Sequence, residues 1–233
     1  MDLHTTPRLY VPDPLAAGER VQLAPGQAHH LGGVLRLAAG EAVRLFNGRD
    51  GEFAGRVAAL KREKAEVEVG AALRPQTPEP DHWLVFAPLK RDATDLVVEK
   101  ATELGVARLV PVLTERTQAA RVNTARLATI ARGAAEQCER LTLPDVAEPV
   151  RLAALLAAWS PGRRLVAALE RAGAPPPPRG LAACALLVGP EGGFSPAEVD
   201  LLRRHTFVEA AGLGPRILRA ETAAIVGLAL LGA

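Results

Sequence analysis

Two glycine-rich stretches gather the residues of this chain best suited to holding a small molecule. Leu187-Val188-Gly189-Pro190-Glu191-Gly192-Gly193-Phe194 sets three glycines around a Pro-Glu pair. Gly212-Leu213-Gly214-Pro215-Arg216-Ile217-Leu218-Arg219-Ala220-Glu221-Thr222 repeats a Gly-Pro pair ahead of two arginines and a Glu-Thr pair. Without a Cβ, glycine lets a ligand approach main-chain groups closely, although a tight turn would use the same glycines for geometry alone. The chain contains neither Gly-x-x-x-x-Gly-Lys-Ser/Thr nor Gly-x-Gly-x-x-Gly, which disfavours nucleoside-triphosphate and nicotinamide enzymes. Glu221 and Thr222, at a helix start, have a ready alternative role as cap and dipole partner. Arg216 and Arg219 do not, because cations near a helix N-terminus are mildly unfavourable. They suit an anion, RNA phosphate among the candidates, or a solvated surface pair.

The elements around these stretches divide the chain in two. Within residues 1–72, alternating or β-rich segments at Arg8–Val11, Arg20–Leu23, Ala42–Phe46, Glu52–Leu60 and Ala65–Ala71 predict short strands. Asn47–Gly51 supplies a hairpin turn, and Gln27–Leu37 has the apolar spacing of one helix. Three prolines between Arg74 and Pro80 mark a stiff linker, placed over residues 73–81. Residues 82–233 then alternate strands and helices. Strands are expected at Trp83–Leu89, Val106–Val112, Arg164–Leu169, Ala183–Val188 and Phe207–Ala211. Helices are expected at Asp92–Leu104, from the Asn123 cap to Leu141, and at Leu152–Trp159. A further helix follows the Ser195-Pro196-Ala197-Glu198 capping box, and the last spans Arg219–Leu231. Such alternation predicts an α/β domain with a mainly parallel sheet. Both glycine-rich stretches follow a predicted strand, where ligands bind in open α/β sheets.

Composition narrows the rest. Lys and Arg number 28 against 26 Asp and Glu, a net charge of +2, so a nucleic-acid surface must be a local patch. Cys138 and Cys184 have no ligand spacing and read as buried small hydrophobes, and no metal is implied. Neither a secretory signal nor an apolar run of bilayer length is seen, so the expectation is a cytoplasmic protein with no membrane partner.

Four segments together resemble a known family. Gly189–Ser195 and Leu213–Ala223 are similar to the signature pair of the RsmE-like ribosomal RNA uridine-N3-methyltransferases, which belong to the SPOUT class of knotted methyltransferases. Leu89-Lys90-Arg91-Asp92 with Glu99–Val106 resembles the first helix of that family's catalytic domain. His29-His30-Leu31, Val34-Leu35-Arg36-Leu37 and Gly40-Glu41 resemble its PUA-like RNA-binding barrel. The matches keep their order over almost the whole chain. Ala220 stands where the family pattern has Thr, which could alter one hydrogen bond at the loop.

The resemblance implies a PUA-like β-barrel followed by a knotted α/β domain. It also implies S-adenosylmethionine (SAM) as cofactor, 16S ribosomal RNA of the small subunit as substrate, and a homodimer. The cofactor would lie among three loops, carried by Leu169 and Glu170, by Gly189, Pro190, Glu191 and Gly192, and by Leu213, Gly214, Ile217, Leu218 and Thr222. Leu169, Ile217 and Leu218 would face the adenine. Arg219 or Arg216 would stabilise the anionic uracil, and Glu191 or Glu221 would accept its proton or merely hold a loop. His30, Arg36, Arg44, Arg49 and Arg56 would grip RNA, with a plain solvated surface as the alternative. The competing readings are another SPOUT target, such as transfer RNA ribose, and a non-catalytic RNA-binding assembly factor.

Overall fold

The computed structural model describes residues 5–61, 63–118, 121–169 and 174–232. It divides into two units, the first running to Pro78 and taking in Ala135–Leu143, the second holding Glu79–Ala134 and the chain from Pro144 onward.

The first unit is built on one sheet. Strands β1 (Arg8–Tyr10), β2 (Arg20–Gln22), β3 (Ala42–Phe46), β4 (Glu52–Lys61) and β5 (Lys64–Arg74) lie in the order β1-β3-β4-β5-β2. Only the β1–β3 pair is parallel. Leu9, Val21, Val43, Leu45, Val57, Val67 and Val69 form its apolar core. The β3–β4 turn forms as its residues predict. The Asn47 side-chain oxygen accepts from Arg49 N at 3.0 Å and Asp50 N at 2.9 Å, while Gly48 and Gly51 take positive φ. Helix α1 (Pro25–His29) is shorter than the predicted Gln27–Leu37 helix. It continues as a π-turn over His30–Val34, in which Leu35 N reaches back to His30 O at 2.9 Å. The Gly32-Gly33 pair weakens the helix, and Arg36 at φ 55° turns the chain away.

An ion network ties Ala135–Leu143 to this sheet. Glu52, 1% exposed, accepts from Arg8 Nε at 2.5 Å and from Arg74 Nε at 2.8 Å, with Arg44 Nη1 at 3.7 Å. Arg8 then donates to the carbonyls of Ala135 (2.7 Å), Glu136 (3.0 Å) and Arg140 (2.9 Å). Burial holds its pKa below the ordinary guanidinium value, against the pull of Glu52. Arg44 Nη2 bonds Glu139 Oε1 at 2.8 Å and depresses that carboxyl.

Several expectations are corrected here. Arg44 is buried within the network, so it offers no charge to RNA. Helix α3 (Thr124–Gln137) ends four residues before Leu141, because Glu139 takes φ 62°; Cys138 is consequently exposed, while Cys184 is buried as expected. The irregular stretch between units is also shorter than the prolines suggest, since β5 runs to Arg74 and the next strand starts at Asp81.

The second unit carries strands β6 (Asp81–Phe86), β7 (Arg108–Leu113), β8 (Asp145–Val146), β9 (Val150–Arg151), β10 (Arg164–Ala168), β11 (Ala183–Val188) and β12 (Val208–Ala211). Their order is β12-β10-β11-β6-β7-β8, with β9 also on β7, and every pair is parallel. Helices α2 (Arg91–Glu103), α4 (Leu152–Ala157), α5 (Pro196–Arg203) and α6 (Ala220–Gly232) complete it with most of α3. Alternation along the central strands builds two cores. Leu84, Phe86 and Leu186 pack with Val97, Val98 and Leu228 of α2 and α6. Val85, Ala185 and Leu187 pack with Leu152, Leu156 and Leu202 of α4 and α5. An α/β unit covered on both faces is thus present as predicted. Strands β8 and β9 have no counterpart in the sequence reading, two residues being too short for a pattern. Pro111, which lacks an N–H, falls between them, where neither pairs with β7.

The Asn123 side chain caps α3 through Arg126 N at 3.0 Å, as expected. Gly133 lies inside this helix, and a Cβ added to it would have nothing within 4 Å. Gly133→Ala should therefore stabilise the protein by roughly 0.5–1 kcal/mol in urea denaturation, since only backbone entropy changes. No helix among the described residues is long and apolar enough to cross a membrane.

Candidate active site

The strand order explains where the site lies. Strands β12, β10 and β11 are neighbours and parallel, so the loops leaving their carboxyl ends open side by side. Leu169 follows β10, Gly189–Phe194 follows β11, and Gly212–Arg219 follows β12. These three segments line one cleft of about 1060 Å³, joined by Lys90 and Arg116 from the loops after β6 and β7. Its lining includes Leu169, Gly189, Pro190, Glu191, Gly192, Leu213, Gly214, Arg216, Ile217, Leu218, Arg219 and Glu221. Thr222 is exposed and does not line the cleft; Glu170 lies outside the described residues.

Local chemistry fixes each loop. After β11, Gly193 N bonds Pro190 O at 2.8 Å, closing a turn that Gly193 completes at φ 66°. A Cβ on Gly189 would stand 3.0 Å from the Phe194 ring, so this glycine lets the ring tuck under the loop. Helix α5 then starts as its capping box predicts: Glu198 N bonds Ser195 Oγ at 3.2 Å, and Ser195 N bonds Glu198 Oε2 at 2.9 Å. The buried Glu198 also accepts from Glu115 N at 2.8 Å, which fastens the loop after β7 to this turn.

Arg116 strengthens the same junction. Its Nη1 donates to Gly192 O at 2.7 Å and to Phe194 O at 3.4 Å, and its stem lies against Gly192. No local spacing links residue 116 to residue 192, so Arg116 does not stand out in the sequence. Arg116→Ala should loosen the glycine turn and weaken ligand binding in the cleft roughly tenfold, the free-energy cost of about 1.4 kcal/mol expected for losing one charge-assisted bond. Calorimetric titration against the parent protein measures this, and Arg116→Lys should recover only part of the loss.

The cleft combines an apolar floor with a charged rim. Ala168, Leu169, Val188 and Ala211 line its strand side, and Ile217 stands at its mouth 60% exposed. A large side chain left uncovered beside small residues and bare glycine backbone suits a flat aromatic group, with main-chain groups for its polar edges. The acidic Glu191 and Glu221 share the cleft with Arg216 and Arg219. No group of three or more His, Cys, Asp or Glu that could hold a metal occurs among the described residues.

Comparison with known proteins decides the family. Residues 76–232 match the model of an RNA methyltransferase domain, and residues 23–70 match that of an RNA methyltransferase PUA domain. The chain belongs to the RNA methyltransferase family. A Rickettsia conorii relative, ribosomal RNA small subunit methyltransferase E, is 31% identical, the match covering 95% of this chain and 93% of the relative. A Synechocystis relative of the same name is also 31% identical, over 91% of this chain and 73% of that one. Among solved structures, ribosomal RNA small subunit methyltransferase E from Neisseria gonorrhoeae, bound to SAM, superposes with a TM-score of 0.84. It is 30% identical, over 96% of this chain and 95% of that one. A Legionella pneumophila protein in complex with bound SAM gives 0.86 at 33% identity, over 96% of both chains.

The family resemblance drawn from the glycine-rich stretches is therefore borne out, as are the SAM-dependent methyltransferase assignment and the PUA-plus-α/β architecture. In the PUA unit, His30, Arg36, Arg49 and Arg56 are exposed, unlike Arg44. Two of them are engaged locally: Arg49 Nη2 donates to Pro12 O at 2.8 Å and Arg56 Nη1 to Gly40 O at 2.7 Å.

Proposed function

We propose that this methyltransferase transfers the methyl group of SAM to N3 of a uridine in 16S ribosomal RNA of the small subunit. The observation that carries the reading is the convergence of the Leu169, Gly189–Gly192 and Leu213–Leu218 segments on one cleft in a fold shared with SAM-bound relatives. When bound, SAM supplies a methyl made electrophilic by its sulfonium. Leu169, Ile217 and Leu218 would hold its adenine, and the main chain of Gly189–Gly192 and Leu213–Gly214 its polar edges.

The chain's own residues then have two tasks. They must hold the uracil in line, which supplies much of the rate through proximity. They must also take the N3 proton, and Glu191 and Glu221 are the carboxylates available for it among the described residues of the cleft. Arg216 and Arg219 would favour the anionic base as it forms. The target base must be single-stranded or extruded. The exposed His30, Arg36, Arg49 and Arg56 of the PUA unit would contribute to RNA capture.

The reading extends to a knotted threading of the C-terminal segment, a cytoplasmic location and a homodimer. The half-buried Ile225, Val226 and Leu230 of α6 would serve the dimer contact. Mass mapping of small-subunit RNA after incubation with enzyme and SAM tests the function; an unmodified RNA overturns it. Alanine at Glu191, Glu221, Arg216 and Arg219 in turn, with transfer and SAM binding measured separately, assigns the roles. Loss of the general base should lower transfer by about 10²–10⁴-fold while SAM still binds.

A further inference from the structure

A second cleft, entirely within the α/β unit, has no role in the reading above. It opens where the chain enters α2 and α3, with a volume of about 520 Å³. Lys90, Arg91, Arg121 and Arg126 line it, against Asp95 as its one acidic lining residue among those described. In a chain of net charge +2, this is a pronounced local concentration of cations. Arg126 is committed to an ion pair with Asp95. Lys90, Arg91 and Arg121 are exposed and form no side-chain hydrogen bond or ion pair with another described residue.

The floor is rigid. Thr94 Oγ1 accepts from Leu89 N at 2.9 Å and donates to Leu89 O at 3.1 Å, pinning the turn that carries Lys90 and Arg91. The first-turn N–H groups of α2 and α3 add a partial positive charge at the same place. Lys90 lines both this cleft and the larger one, so the two adjoin at the loop after β6.

We infer that this cleft binds the phosphodiester backbone of the substrate RNA strand next to the nucleotide held for methylation. Two uncommitted cations on a fixed turn, with Arg121 beside them from the segment ahead of α3, match phosphate charge without reading sequence. Their place beside the methyl-transfer cleft sets the strand's path across the α/β unit, in addition to any grip by the PUA unit. The inference rests on the RNA methyltransferase reading.

The test compares the parent protein with Arg91→Ala/Arg121→Ala and with Arg151→Ala/Arg204→Ala, a charge-matched control on exposed residues elsewhere in the unit. Binding of a fluorescent single-stranded uridine-containing RNA is measured by anisotropy across a salt series, SAM binding by calorimetry, and transfer to small-subunit RNA as a function of RNA concentration. The cleft variant should bind the oligonucleotide roughly tenfold more weakly, with a salt slope smaller by about 1.4, or ~0.7 per lost phosphate contact. Its KM for RNA should rise while kcat and SAM affinity hold, and the control should match the parent. An unchanged affinity and slope in the cleft variant overturns the inference while leaving the function intact. A defect confined to assembled subunits, with naked RNA bound normally, assigns the cleft to a protein component and equally overturns it. If the parent itself neither binds RNA nor transfers methyl, the functional reading falls and the inference with it.

Discussion

Replacing Glu52 with alanine is expected to destabilise the PUA unit by about 3–5 kcal/mol, the usual cost of leaving buried charge unpaired. Glu52 is the carboxylate on which Arg8, Arg74 and, at longer range, Arg44 converge, and the Arg8 and Arg44 side chains are 2% and 4% exposed. With it gone, Arg8 retains the carbonyls of Ala135, Glu136 and Arg140 and the face of the Phe46 ring at 4.4 Å, none of which carries a neutralising charge. Urea denaturation gives the magnitude, and hydrogen exchange gives the location. Amides of β3, β4 and β5 should lose protection, while those of β6 and β11 in the other unit keep theirs. Glu52→Gln, which preserves shape and one acceptor, should still lose most of the stability, because the charge is what balances the arginines. A loss under about 1 kcal/mol for Glu52→Ala would mean that water or rearrangement compensates the cations.

That network also marks a limit of sequence reading. Arg8, Arg44, Glu52, Arg74 and Glu139 are scattered over more than a hundred positions, and no local pattern connects them. Arg44 in particular sits in an alternating strand among exposed-looking charges, so it reads as a surface cation until Glu139 is placed beside it. The elements themselves are legible wherever their period or caps are strong. Ala42–Phe46 and Ala183–Val188 have the bounds predicted, and the Ser195 box starts α5 where expected. The spacing of Leu31, Val34 and Leu35 overstates the helix at Gln27–Leu37, because the glycine pair and the positive φ of Arg36 divert the chain. In the cleft, glycine and charge patterns expose the two loops with unusual composition. The strand order that brings them together, and the Arg116 brace, depend on long-range pairing.

The second large effect is expected at Gly212, a position whose importance is visible only in three dimensions. Gly212→Ala should lower SAM affinity by roughly tenfold, a loss of about 1.4 kcal/mol, because it displaces backbone that lines the cleft. A Cβ there would stand 2.6 Å from Ala174 O. The obstacle is backbone, so no side-chain rotation relieves it. Gly212 N also bonds Pro175 O at 2.8 Å, which makes this the seam between the segment after β10 and the loop after β12. Ala174, Pro176 and Gly212–Arg219 all line the larger cleft, so separating the seam displaces two of its walls together. The clash should also cost about 1–3 kcal/mol of stability, the range for overpacking, so binding is to be measured well below the melting transition. Gly162→Ala, at a glycine with nothing within 4 Å, controls for the substitution itself. If Gly212→Ala binds SAM as the parent does, the seam is a structural joint only, and cofactor binding does not depend on its support.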